Sequence, residues 1–169
     1  YDNSYIGVVP VVQTSDRKNY ENLMLAESEV GEALREKDKA SLFERLFAEY
    51  IGVDNAILVA SGGMALNLVL GALGLGKGDK VAAPGFTCRL VPKTISLHAK
   101  PVLCDIEPLS YNIDAGKVPG DAKVVVPVHT YGNPANLDGI RKGFVIEDCA
   151  HALGAEYKGR KVGSIGDAG

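Results

Sequence analysis

Val145-Ile146-Glu147-Asp148-Cys149-Ala150-His151-Ala152-Leu153-Gly154 sets an apolar run against a carboxylate, at the point where a buried strand ends and a helical turn begins. In open α/β sheets, ligands bind at such carboxyl ends of strands. An acid there needs a partner to offset its desolvation. The protonated nitrogen of a heterocyclic cofactor is one candidate, and the N–H groups of the following turn, which Asp148 would cap, are the other.

Strand and helix signals alternate outward from this stretch. Upstream, Lys123 to Val128 and Phe144 to Glu147 read as strands, with a short helix from Asn136 to Lys142 between them. Further back, Lys80 to Ala83 is a strand stopped by Pro84-Gly85, and Pro101 to Asp105 is another. The segment from Thr87 to His98 between them reads as a helix interrupted near Pro92. Ala56-Ile57-Leu58-Val59-Ala60 is a continuous apolar run, expected to be a strand buried on both faces, and Ser61-Gly62-Gly63 separates it from a helical pattern over Met64 to Leu73. Leu42, Phe43, Leu46, Phe47 and Tyr50 recur at helical spacing until Gly52 ends the pattern, after a polar helix-permissive stretch from Tyr20 to Lys37 and an extended arm over Tyr1 to Gln13. Downstream, Glu156 to Val162 predicts a hairpin turning near Gly159. The alternation predicts an α/β fold, a mostly parallel sheet with helices on both faces and its functional loops at the strands' carboxyl ends.

Bulk properties narrow the function. With 169 residues, 46% of them hydrophobic, the chain can bury one sizeable core. Eighteen basic and 21 acidic side chains leave a formal charge of −3 without like-charge blocks, which argues against a nucleic-acid or membrane-surface partner. Cys88, Cys104 and Cys149 are odd in number and far apart, so neither a disulfide framework nor a zinc or other metal site is expected, and a reducing cytoplasm fits. No apolar stretch approaches bilayer length. Tyr1 in place of Met, and a Gly-rich end at Gly169, read as cut rather than natural termini.

Ser61-Gly62-Gly63-Met64-Ala65-Leu66 places backbone N–H groups and a helix's positive end at one point, which suits an anion such as phosphate and equally suits a tight turn packing helix on sheet. The segment lacks both the G-x-G-x-x-G pattern and the Lys and Ser/Thr of a P-loop, so neither a dinucleotide nor a nucleoside triphosphate is indicated.

These segments, with Phe47-Ala48-Glu49-Tyr50-Ile51-Gly52-Val53, Leu75-Gly76-Lys77-Gly78-Asp79-Lys80-Val81, Pro84-Gly85-Phe86-Thr87, Tyr111-Asn112-Ile113-Asp114, Pro127-Val128-His129-Thr130-Tyr131-Gly132 and Tyr157-Lys158-Gly159-Arg160-Lys161-Val162-Gly163, occur in one order. Together they resemble the DegT/DnrJ/StrS sugar aminotransferases, pyridoxal phosphate enzymes of the aspartate aminotransferase fold, fold type I. The resemblance implies an incomplete fold-type-I large domain, with residues 1–40 as an arm and helix and 41–169 as the N-terminal part of the cofactor domain. It implies that Asp148 pairs with the cofactor's pyridine nitrogen, that His151 reaches its ring hydroxyl oxygen, and that Gly62, Gly63 and Met64 hold its phosphate. At an effective dielectric near 20, opposite charges about 4 Å apart attract by about 4 kcal/mol, enough to keep such a nitrogen protonated.

Two positions depart from the family pattern: Gly63 stands where Thr is usual, and Cys88 where an aromatic residue stacks on the cofactor ring. The family's covalent lysine is expected beyond Gly169, and Lys158 and Lys161 are read as solvent-facing hairpin residues, so the catalytic residue is unknown. The implied activity moves an amino group from an amino-acid donor, glutamate or glutamine, to a nucleotide-linked keto sugar in a cytoplasmic homodimer. The alternatives are a dehydratase of the same family and a noncatalytic truncated fragment.

Overall fold

The computed structural model describes residues 39–140 and 143–169; the expected arm and polar helix before residue 39 lie outside them. The described residues fall in two compact units, one holding 39–58 and the other beginning at Val59.

In the first unit, helix α1 spans Lys39–Ile51. Its apolar spacing brings Phe43 and Phe47 into a stack with centroids 5.5 Å apart. The helix stops at Gly52, whose φ of +87° would be costly for a residue with a Cβ, and the N–H groups of Gly52 and Val53 both return to the Ala48 carbonyl. Ala56–Ala60, expected as a doubly buried strand, is not one. Ile57 is 80% exposed, the run has no ladder among the described residues, and the Leu58 N–H donates to Glu44 Oε1 at 2.7 Å. An apolar run becomes a strand only when a neighbouring strand offers it a register, and composition does not report that neighbour.

The second unit is built on a four-stranded, all-parallel sheet of β1 (Lys80–Pro84), β2 (Lys100–Cys104), β3 (Ala122–Val125) and β4 (Phe144–Val145), in the order β2-β1-β3-β4. Side chains alternate across it. Val81, Ala83, Val124 and Val126 pack with Leu66 and Leu70 of helix α2 (Gly62–Ala72) and with Val91 and Ile95 of helix α3 (Leu90–His98). On the opposite face, Ala82 and Val125 meet Cys104 and Ile113. Among the described residues both helices lie on the first face, while Ile113, Val118 and Ile140 from connecting segments cover the second. His98 and Asn67 tie α3 to α2 by a hydrogen bond of 2.9 Å.

Pro92 does not interrupt α3. The helix begins at Leu90, so proline occupies the first turn, where its missing N–H would have had no intrahelical partner. The helix expected over 136–142 is a single 3₁₀ turn at Leu137–Gly139 within the described part. The hairpin expected near Gly159 is present: β5 (Glu156–Tyr157) pairs antiparallel with β6 (Arg160–Lys161). Lys158 and Gly159 form its two-residue loop with φ of +52° and +78°, the left-handed pair that matches strand twist. No described helix is long and apolar enough to cross a membrane.

Candidate functional site

The strand order fixes where a ligand can sit. From β1 the chain passes to β2 on one side, then crosses back to β3 on the other, so the loops after β1 and β3 diverge and leave a crevice at their carboxyl ends. A cavity of about 230 Å³ opens there. Phe86, Thr87 and Cys88 come from the loop after β1, Val128, Thr130 and Tyr131 from the segment after β3, and Asp148, Ala150 and His151 from the segment after β4.

Asp148 is fixed through its backbone. Its N–H donates to Pro127 O at 2.9 Å, and its carbonyl accepts from His129 N–H at 3.1 Å, which extends the parallel pairing through a bridge between Val128 and Asp148. Its Oδ1 accepts the Ala150 N–H at 3.1 Å, so the capping role read from the sequence is real. Among the described residues Oδ2 has no hydrogen-bond partner, and no Lys or Arg lines the cavity. The carboxylate therefore keeps an open accepting position in a largely apolar cavity. Thr87 Oγ1, in the same lining, is buried without a partner among the described residues.

Of the residues singled out from the sequence, Cys88, Asp148 and His151 come together here, whereas Gly62, Gly63 and Met64 are not in the cavity's lining. They begin α2. Ser61 is its N-cap, and its Oγ accepts the Met64 N–H at 3.2 Å while its carbonyl accepts from Ala65. The N–H groups of Gly62 and Gly63 are left without partners among the described residues, and a Cβ at Gly62 would meet no atom within 4 Å. The space over this backbone is open to an anion, and the Ser61 hydroxyl, which still has its own hydrogen to donate, stands beside it.

Beneath the Asp148 segment lies a polar network whose pairing the sequence did not announce. His129 and Glu147 have fully buried side chains, with Nε2 and Oε2 3.0 Å apart. His129 Nδ1 accepts the Ala135 N–H at 2.9 Å, so the ring carries its hydrogen on Nε2 and donates it to Glu147. Glu147 Oε1 accepts from the N–H groups of Ile165 and Gly166, each at 2.7 Å. Burial alone would raise the Glu147 pKa, but the His129 hydrogen bond and the backbone donors of Gly166, Gly163 and Ile165 outweigh it and hold the carboxyl below its ordinary value. Cys149 Sγ lies within 4.8 Å of this pair's ligand-type atoms. Burial, aided by Glu147 and Asp148, pushes its thiol pKa far up.

Tyr131 adds a ring to the same cavity lining. It lies parallel to His151, with ring planes 2° apart and centroids at 6.0 Å, and meets Phe86 at 61° and 6.3 Å, while Phe86 in turn contacts Tyr111 at 5.7 Å. Its φ of +54°, in the left-handed region disfavoured for residues with a Cβ, is a structural signal without a counterpart in composition.

Lys158, on the hairpin, pairs with Asp138 and keeps an exposed side chain, as expected for a surface lysine.

Residues 15–169 match the model of the DegT/DnrJ/EryC1/StrS aminotransferase family. The chain is 40% identical over 136 residues to a GDP-perosamine synthase of Caulobacter vibrioides, a match covering 74% of this chain and 37% of that protein. It is 44% identical over 138 residues to an L-glutamine:2-deoxy-scyllo-inosose aminotransferase of Streptoalloteichus tenebrarius, covering 75% and 32%. The chain thus spans about a third of the length of these relatives. Among solved structures, DesV of S. venezuelae, in complex with a ketimine intermediate, aligns with a TM-score of 0.73 at 30% identity, over 87% of this chain and 44% of that one.

Proposed function

Since the chain belongs to the DegT/DnrJ/EryC1/StrS aminotransferase family, we propose that the protein moves an amino group from glutamate or glutamine to a nucleotide-linked keto sugar, using pyridoxal 5′-phosphate. The observation that carries this reading is Asp148: a carboxylate from the segment after β4 that lines the crevice, with one oxygen unengaged among the described residues, in a cavity lined by no lysine or arginine. Such an acid suits a cationic ring nitrogen. The orphaned Thr87 hydroxyl and the open backbone of Gly62 and Gly63 are polar positions that a phosphorylated heterocycle would satisfy.

When bound, pyridoxal phosphate supplies a ring that takes up electrons as the substrate carbon loses its proton. Asp148 keeps the ring nitrogen protonated, and the backbone pairing of its segment to Pro127 and His129 fixes the carboxylate's approach. His151 donates to or accepts from the ring hydroxyl oxygen, its plane set by Tyr131. The N–H groups of Gly62 and Gly63 and the Ser61 hydroxyl bind the phosphate, with the N-terminal end of α2 adding a favourable field. Cys88 lines the cavity without offering a stacking surface. The working unit in this proposal is a cytoplasmic homodimer, and residues 41–169 form the N-terminal part of its cofactor domain.

The test is Asp148→Asn. Asn keeps an Oδ1 acceptor for Ala150 N–H, so the fold is retained, while the charge that holds the nitrogen protonated is gone. We expect saturable pyridoxal phosphate binding by the wild type in an absorbance titration, and amino transfer from glutamine or glutamate to a nucleotide keto sugar reduced on the order of 100-fold or more in the variant, from a lost attraction of about 4 kcal/mol. A variant as active as the wild type, or a wild type that does not bind the cofactor, refutes the proposal.

A further inference from the structure

We propose that Tyr131 is a cofactor-binding residue whose ring, with Phe86 beside it, packs against the planar ring of pyridoxal phosphate and takes over the contact that Cys88 does not make. The inference rests on the site reading above and adds to it a residue that the motif Pro127 to Gly132 contains but to which no cofactor role has been assigned above.

A left-handed backbone is disfavoured for any side chain with a Cβ, and a residue held there against its preference points to a purpose for that placement. Tyr131 adopts φ +54° and ψ +28° although it is 72% exposed, so burial of its ring does not repay the conformation. Its surroundings impose it. Asn112, 1% exposed, accepts Thr130 N–H on Oδ1 at 2.9 Å and donates from Nδ2 to the Asn133 carbonyl at 2.9 Å, bracketing the turn from both sides. Thr130 Oγ1 donates to the Tyr111 carbonyl at 3.3 Å, and Tyr111 is itself left-handed at φ +60°. His129, one residue earlier, is anchored through its backbone to Asp148 and through its ring to Ala135 and Glu147.

So much anchoring serves to present one exposed ring. Among the described residues the Tyr131 hydroxyl has no hydrogen-bond partner, so the ring is not held in place for its polar end. What the ring does face is the cavity, which it lines together with Asp148, Cys88, Phe86 and His151. Parallel to His151 and edge-on to Phe86, it gives the cavity an aromatic wall. A protonated heterocycle paired with Asp148 needs such a wall, since the negative face of an aromatic ring favours a cationic neighbour. The thiol of Cys88 supplies none.

The measurement is the dissociation constant of pyridoxal phosphate for the protein, read by the visible absorbance and circular dichroism of the bound cofactor. Tyr131→Asn removes the ring and leaves a residue that tolerates the left-handed backbone, and Tyr131→Gly does the same with no Cβ at all. Each is expected to weaken binding about 3- to 10-fold and to reduce the dichroic band, whereas Tyr131→Phe stays within about twofold of the wild type. Combining Cys88→Phe with Tyr131→Asn restores affinity by offering a ring from the opposite loop. Binding by Tyr131→Asn and Tyr131→Gly as tight as in a wild type that binds normally overturns the assignment of Tyr131 alone. A wild type without saturable binding overturns the site reading beneath it as well.

Discussion

Glu147→Gln is the substitution whose cost the structure specifies most fully. The carboxylate is buried, accepts two backbone N–H groups on Oε1, and receives the His129 Nε2 hydrogen on Oε2. Glutamine is nearly isosteric but offers one acceptor and one donor. If its oxygen replaces Oε1, its amide hydrogens confront His129 Nε2–H, and the imidazole cannot escape by moving its hydrogen to Nδ1, because Nδ1 already accepts from Ala135. If the amide flips, its donors face Ile165 and Gly166 instead. Either arrangement forfeits at least one charge-assisted hydrogen bond, worth about 1.5–3 kcal/mol, and leaves a buried donor unsatisfied, so a loss of about 3 kcal/mol is expected at neutral pH. With a urea m value of about 2 kcal/mol/M, the unfolding midpoint falls by about 1.5 M.

The pH dependence of that loss has a definite sign. Because the Glu147 pKa is depressed in the fold, its contribution is complete above the ordinary carboxylate value of about 4.3 and disappears as the pH drops through the lower folded value. The gap between wild type and variant should therefore be widest at pH 7 and narrow below about pH 4. Urea unfolding followed by circular dichroism at both pH values measures it. A variant within about 0.5 kcal/mol of the wild type at pH 7, or a gap that widens in acid, refutes the hydrogen-bond assignment.

Two further outcomes follow from the same structure. Gly143, just before β4, has φ +92°, and a Cβ there would stand 2.9 Å from the Ala122 carbonyl, so Gly143→Ala should cost about 2 kcal/mol and lower the thermal midpoint by about 4–8 °C; an unchanged midpoint contradicts the local geometry. Native-state alkylation at pH 8, followed by mass spectrometry, should modify exposed Cys88 while sparing Cys104 and Cys149, whose thiol pKa values burial drives upward, and all three should react after unfolding. Equal rates at Cys149 and Cys88 would overturn that picture.

What could be read along the chain was what local chemistry decides. The Gly52 stop, the Lys158-Gly159 turn and the strand-end placement of Asp148 each depend on a residue and its immediate neighbours. Ala56–Ala60 departs from its expected strand for the converse reason, since five apolar residues specify burial in general but not a ladder partner. Pro92 does not break the helix because its harm depends on its position within it, and that position is set by where α3 starts. Cys88, Asp148 and His151 were legible as candidates through motif resemblance. That Tyr131 lines the cavity with them follows from a left-handed turn clamped by Asn112, which is 19 residues away in the sequence but bonded to both sides of it.

By itself, the amino-acid sequence determined the strand segments β1 to β4 and the helices α2 and α3, and with them a parallel sheet that carries an acid at a strand's carboxyl end, because side-chain period and turn chemistry act over a few residues. Tertiary structure alone decided the order β2-β1-β3-β4, which opens the crevice, and the pairing of His129 with Glu147 across 18 residues. Both are long-range choices. A buried hydrogen bond forms between whichever donor and acceptor the packing of distant segments brings within 3 Å, and nothing in the neighbourhood of either residue encodes that meeting.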